Sequence, residues 1–157
     1  MDRCQILYYA EKFDSATECT TDIVADRENT TANELLYQIY SSAGLHEKAV
    51  EKFVENLSNS KSEVHRSLAD RFRQACAAGG IPMFRQKQIE FYRDVDVSHY
   101  KLARVFAETG DVPSAIAALG DAIKTRDFDV VYYAPDPAFH AIRTGARRSS
   151  IEGLPLK

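Results

Sequence analysis

Residues 99–124, HYKLARVFAETGDVPSAIAALGDAIK, decide the fold. Apolar or small side chains fall at Leu102, Ala103, Phe106 and Ala107, stop at Gly110, and resume at Val112, Ala115, Ile116, Leu119, Ala122 and Ile123. Steps of three and four put each set on one face of an α-helix. The joint Thr109-Gly110-Asp111 allows only an antiparallel turn. Gly110 takes the left-handed conformation that ends the first helix, and Asp111 caps the second. Ala115 and Ala122 are small where the helices cross, so the backbones can approach closely. A lone hairpin cannot bury its apolar faces, so the stretch implies neighbours of its own kind.

Those neighbours are in the chain. Stepping back by twice 33 residues gives SSAGLHEKAVEKFVENL, with Gly44 for Gly110, Ala49 for Ala115, Phe53 for Leu119 and Leu57 for Ile123. Stepping back 33 more gives YYAEKFDSATECTTDIV, with Ala16 for Ala49 and Phe13 in the aromatic position before it. A period near 33 or 34 residues with one hairpin per period resembles the tetratricopeptide repeat. The resemblance implies an all-α, right-handed superhelix of three to four helical hairpins with a C-terminal capping segment. It implies hairpins at about 2–25, 31–58, 62–93 and 97–125, a cap at 128–152, and a single domain over 1–157.

The chain of 157 residues is long enough to bury roughly two-thirds of its unfolded surface. Charged residues make up 27% and the net charge is −3. That balance argues against direct nucleic-acid binding, which needs a basic surplus or stripe. No apolar run reaches membrane-spanning length and no signal peptide opens the chain, so membrane contact is not expected. Cys4, Cys19 and Cys76 are odd in number and lack paired spacing, which reads as free thiols in a reducing, cytoplasmic setting.

Taken in order, residues 2–10 form a short helix with Ile6, Leu7 and Ala10 inward. It lacks about one turn relative to the later repeats, which reads as the cut end of a longer protein. Phe13 to Ala25 pairs with it through Ala16, Ile23 and Val24. Thr31 to Ala43 carries Leu35, Leu36, Ile39 and Tyr40 on one face, and His46 to Leu57 carries Ala49, Val50 and Phe53. The third pair is irregular. Val64, Leu68, Phe72 and Cys76 mark its first helix, and Gly79-Gly80 ends it. Pro82 fits only the first turn of the next helix. Phe84, Ile89, Phe91 and Tyr92 supply apolar mass there, but Arg85 and Gln86 stand where a small crossing residue is wanted. A shorter helix with different packing is expected. After Lys124, the run from Phe128 to Tyr133 is apolar without needing to be a strand. Pro135 and Pro137 break it, residues 136–143 start a short helix, and 147–151 add a turn. This tail is expected to cover the apolar face of the last hairpin.

The C-terminal two-fifths resembles the closing repeats of tetratricopeptide segments found in bacterial winged-helix regulators, nucleotide cyclases and Ser/Thr kinases. The matching residues are Gly79 and Gly80, Val97-Ser98-His99-Tyr100, Leu102 to Asp111, Arg126-Asp127, Val131 to Phe139, and Ile142-Arg143. A second Asp-Pro-x-Phe usual in that family is replaced by Gly145-Ala146-Arg147-Arg148. The resemblance implies the C-terminal, regulatory part of a signalling or transcription-regulating protein.

No pattern of residues points to chemistry. His46, His65, His99 and His140 lie far apart, and His46-Glu47 lacks the second His of a zinc helix. Gly79-Gly80 lacks a third glycine and follows a helix, which excludes a phosphate loop. Cys76 has no expected activator. Asp94 and Asp96 read as helix caps. Arg143, Arg147 and Arg148 form a small basic cluster, read as solvated, with an anionic partner as the alternative. No catalytic residue, metal or cofactor is expected. First helices line the inner wall of such a superhelix, where periodicity places Glu34, Gln38, Ser41, Asp70, Gln74, Tyr100, Arg104 and Glu108. That mixture of acid, amide, arginine and tyrosine suits an extended peptide. The expected function is therefore a non-catalytic protein-interaction module binding a peptide or partner domain in its groove. The bland reading of the groove is that it is merely wet, or filled by the chain's own tail or another copy. Homodimerisation through the clipped N-terminal end or the convex face is the alternative function.

Overall fold

The computed structural model describes residues 2–26, 30–95 and 98–145. It is all-α: among these residues there is no strand, and no helix is long and apolar enough to cross a membrane. The helices are α1 (Asp2–Tyr9), α2 (Phe13–Asp26), α3 (Thr30–Ser42), α4 (His46–Ser58), α5 (Glu63–Asp94), α6 (His99–Glu108), α7 (Val112–Thr125) and α8 (His140–Gly145). Two 3₁₀ turns, Phe128–Tyr132 and Pro137–Phe139, precede α8. The chain divides into two compact units, Met1–Phe91 and Tyr92–Lys157. The connections at 27–29 and 96–97, the turn expected at 147–151, and Arg147 and Arg148 lie outside the described residues.

In the first unit α1 packs on α2, α2 on α3 and α3 on α4. Gly44, at φ +76°, gives the left-handed residue that separates α3 from α4. One core holds Cys4, Tyr8, Ala16, Leu35, Leu36 and Ile39, with Ile23, Val24 and Tyr40 partly buried against it. A second core is aromatic. Phe53 on α4 has Tyr37, Phe72, Phe84 and Phe91 at centroid distances of 5.3, 4.8, 5.4 and 6.0 Å. The last three rings meet it edge-on, the geometry in which each pair adds roughly 0.5–1.5 kcal/mol beyond area burial.

Four expectations for this unit are corrected. The buried residues of α1 are Cys4 and Tyr8, one turn apart; Leu7 packs partly against the same core, while Ile6, at 65%, and Ala10 are exposed. Cys4 and Cys19 are bonded to each other, and Cys76 alone is a free thiol. The turn at Ala10 to Lys12 brings α1 and α2 side by side, so cysteines without sequence spacing meet across the hairpin. In α5 the apolar row shifts to Ala69, Phe72 and Ala75, while Val64 is exposed. Finally, the break expected at Gly79 and Gly80 is present, their backbones being non-helical, but the segment after it is not short: it runs on to Asp94, no shorter than α4 or α7. Arg85 there is buried rather than replaced by a small residue. Its guanidinium donates to Tyr37 Oη (3.0 Å), Ser41 Oγ (2.6 Å) and Gln88 Oε1 (2.8 Å), and Gln88 donates to Tyr37 Oη (2.9 Å). A polar network thus fills the position where a small crossing residue was wanted.

In the second unit α6 and α7 form the antiparallel hairpin, with Gly110 at φ +79°. Asp111 caps α7, its carboxylate accepting from Ser114 N–H. Ala115 and Ala122 are fully buried, as the crossing requires. Ser98 caps α6 by accepting from Lys101 N–H. Asp127 links both ends of the hairpin: it accepts from Ser98 Oγ (3.2 Å), Tyr100 N–H (3.1 Å) and Asp129 N–H (3.2 Å). The tail is closed by Asp136. This buried carboxylate accepts from Tyr100 Oη (2.8 Å) and Ala138 N–H (3.0 Å), and it lies 3.1 Å from Arg104 Nε. Arg143 donates to the carbonyls of Tyr133 (3.0 Å) and Asp136 (2.7 Å). Phe139 packs on Tyr100 at 5.6 Å.

Two outcomes are expected. The Cys4–Cys19 bond closes a sequence separation of 15 residues, so reduction should cost about 2–3 kcal/mol of stability in urea denaturation. The C4S/C19S double variant should match the reduced protein, and no change under reductant would contradict the pairing. Asp136→Ala removes the carboxylate beside buried Arg104 and should cost about 3–5 kcal/mol. A loss below about 1 kcal/mol, the scale of an ordinary neutral hydrogen bond, would show that the carboxylate does not hold the tail.

Candidate interaction surface

The residues expected to line a groove have two fates. In the first unit Ser41 is buried and accepts from Arg85, so it is part of the internal network. Asp70 is exposed and pairs with Arg73 on its own helix, and Gln74 is exposed nearby. Gln38 is half-buried. Glu34 accepts from Asn56 Nδ2 at 3.3 Å, which ties α3 to α4. In the second unit Tyr100 and Arg104 are buried and meet at Asp136, while the Glu108 carboxylate lies 3.6 Å from Arg104. Within this unit, three of the polar side chains expected to greet a peptide are thus joined to one another or to the tail.

Two of the other candidates have structural contacts. His65 hydrogen-bonds Ser60 and meets the Phe91 ring edge-on. Arg143 donates through Nη1 to the carbonyls of Tyr133 and Asp136; Arg147 and Arg148, expected beside it, lie outside the described residues. Among the described residues no group of three or more His, Cys, Asp or Glu is placed to hold a metal ion.

A different surface stands out on α7. Its inner face, Ala115, Ala118, Leu119 and Ala122, is buried. Val112, Ile116 and Ile123, read from periodicity as part of the hairpin's apolar face, lie 38–48% exposed. In the 3₁₀ turn that follows, Phe128 is 75% and Val131 64% exposed. Among the described residues of the tail expected to cover this face, Phe139 and Ile142 are buried, and Phe139 packs on Tyr100 of α6 beside the Tyr100–Asp136 bond.

Of the ten large apolar side chains exposed among the described residues, five lie between positions 112 and 131. Scattered apolar residues need no explanation, but Val112, Ile116 and Ile123 share one side of α7 by helical spacing, and such a row does. Gly120, on the same side of α7, has no atom within 4 Å of where a Cβ would stand, so the row contains a hole. Charges flank it. Asp111 stands at the N-terminal end, with Lys124 and Arg126 at the other. Lys124 lies 2.9 Å from Asp121 and holds that carboxyl below the usual range, by hydrogen bond first and charge second. Both side chains are more than half exposed, and exposed pairs of this kind hold little energy.

Sequence periodicity alone could not reveal this surface, because it marks apolar residues without saying which ones find a neighbour. Comparison with protein-family models, curated proteins and solved structures finds no match to the chain.

Proposed function

We propose that this chain is a non-catalytic protein–protein interaction module whose α7 face receives an apolar helix of another protein chain. The observation that carries the reading is the exposed row Val112, Ile116 and Ile123, with Phe128 and Val131 exposed in the turn that follows. Steps of four along α7, from Val112 to Ile116 to Gly120, form the ridge that a second helix packs against. Binding there would bury apolar area without requiring any acid, base or nucleophile.

Stacking of hairpins into a tetratricopeptide-like superhelix belongs to the same proposal. It is supported by helices α1 to α4 each packing on the next and by the recurring Gly44 and Gly110 turns. The regulatory setting within a bacterial signalling or transcription-regulating protein rests on the residue resemblance alone. The net charge of −3 supports a protein partner over nucleic acid. The Cys4–Cys19 bond counts against the reducing cytoplasm that three free thiols would suggest, and the interaction reading does not depend on the compartment.

The test is whether the face is open in the chain itself. The I116E/F128S variant should melt within about 3 °C of the parent at high dilution, because both side chains already meet water. A loss several times larger would mean that the chain covers its own α7 face, and the reading would lose its surface.

A further inference from the structure

We infer that the Gly79–Gly80 turn in α5 is a hinge between two states of the chain. One is the closed hairpin of its two segments. In the other, α5 runs through as one helix and its second segment is exchanged with a second copy. The inference does not rest on the α7 face. Gly79, at φ −143° and ψ 16°, and Gly80, at φ 64° and ψ −154°, are the non-helical residues within Glu63–Asp94. No loop separates the segments, since the helix resumes directly after Gly80. The segments nonetheless run back along each other. His65 meets Phe91 at a centroid distance of 5.4 Å, and Phe72 meets Phe84 at 5.6 Å. The reversal is therefore carried by two residues, and turning their backbones to helical angles joins the segments end to end.

Opening takes the second segment away from a defined set of contacts. Phe84 and Phe91 pack on Phe53 of α4, and Arg85 and Gln88 hydrogen-bond Tyr37 of α3. Leaving that ring cluster and those polar groups without partners is costly. A second open copy restores both with the same side chains in the same geometry, which is the condition for exchanging an element between protomers. With the packing alike in both states, the hinge and the concentration decide between them. This sequence favours the closed state. Two glycines lower helix propensity where a continuous helix would pass. Pro82 would stand inside that helix, lacking an N–H and pressed against the carbonyl of Ala78. In the closed state the same residues fit. Gly80 holds a φ that side chains rarely adopt, and a Cβ on Gly79 would come 2.9 Å from Met83 Cβ. Pro82 there lies in the first turn of a helix, where its missing N–H is not needed. Gly79, Gly80 and Pro82 thus latch a chain whose helical segments would otherwise run together.

Size-exclusion chromatography of the full chain tests this, after warming to the foot of its melt at high concentration and cooling. Pro82→Ala removes the obstacle to a continuous helix and keeps both glycines. It should raise the dimerisation constant about tenfold or more over the parent. The G79A/G80A variant should raise it about a hundredfold or more, because alanine favours the continuous helix and strains the closed turn. Pro82→Ala alone decides should the double variant fail to fold. Isotope-filtered NOE spectra of dimers formed from labelled and unlabelled copies identify the exchange. The Phe53–Phe84 contact should pass between copies, while Phe53–Phe72, 4.8 Å apart, stays within one. A Pro82→Ala chain no more dimeric than the parent overturns the inference. So does a dimer whose Phe53–Phe84 contact stays within one copy, which would place the contact between copies elsewhere on the surface.

Discussion

A helical hairpin has more apolar surface than its two helices can hide from each other, and this constraint governs the whole chain. Each helix turns one face to its hairpin partner and needs a further neighbour for the other. From α1 to α4 the need is met in sequence order, since every helix packs on the one before it. At the start, α1 is short and gains a covalent tie through Cys4 and Cys19. The same logic in the second unit stops halfway. The tail closes over α6 through Phe139, while the outer side of α7 keeps three aliphatic side chains in water.

What holds the tail on α6 is a set of charge-assisted bonds in a buried place, and it also explains the fate of the polar groove residues. Tyr100 and Arg104 converge on Asp136, and Ser98 and Tyr100 N–H converge on Asp127. Both acids also cap the short 3₁₀ turns that follow them. Removing such groups from water is costly unless each finds partners, and here one carboxylate serves several donors at once. The residues that carry the family resemblance in this region are the ones engaged in these bonds. Their side chains join the tail to the hairpin.

The sequence made the helices legible because apolar spacing, Gly44 and Gly110, and the caps at Ser98 and Asp111 are local signals. Contacts between helices were not legible in the same way. Cys4 and Cys19 show no paired spacing, and only the hairpin geometry brings them together. Tyr8 and Cys4 face the core where hydropathy favours Ile6, because a cysteine and a tyrosine one turn apart look less apolar than an isoleucine. Arg85 looked like a defect at a crossing point. It is buried because Tyr37 and Ser41, more than forty residues earlier, supply acceptors for its guanidinium. In the candidate surface, Val112, Ile116 and Ile123 are legible as apolar, but their exposure depends on which neighbours the fold brings to them, and spacing along one helix does not carry that.

The account therefore turns on one property: the outer side of α7 meets solvent in the isolated chain while the side facing α6 does not. Methyl relaxation from a soluble paramagnetic probe measures this directly at the lowest workable protein concentration. The methyl groups of Ile116, Ile123 and Val131 should relax strongly, and those of Val105, Leu119 and Ile142 weakly. Protection of Ile116 and Ile123 equal to that of Leu119, unchanged on dilution, would contradict it.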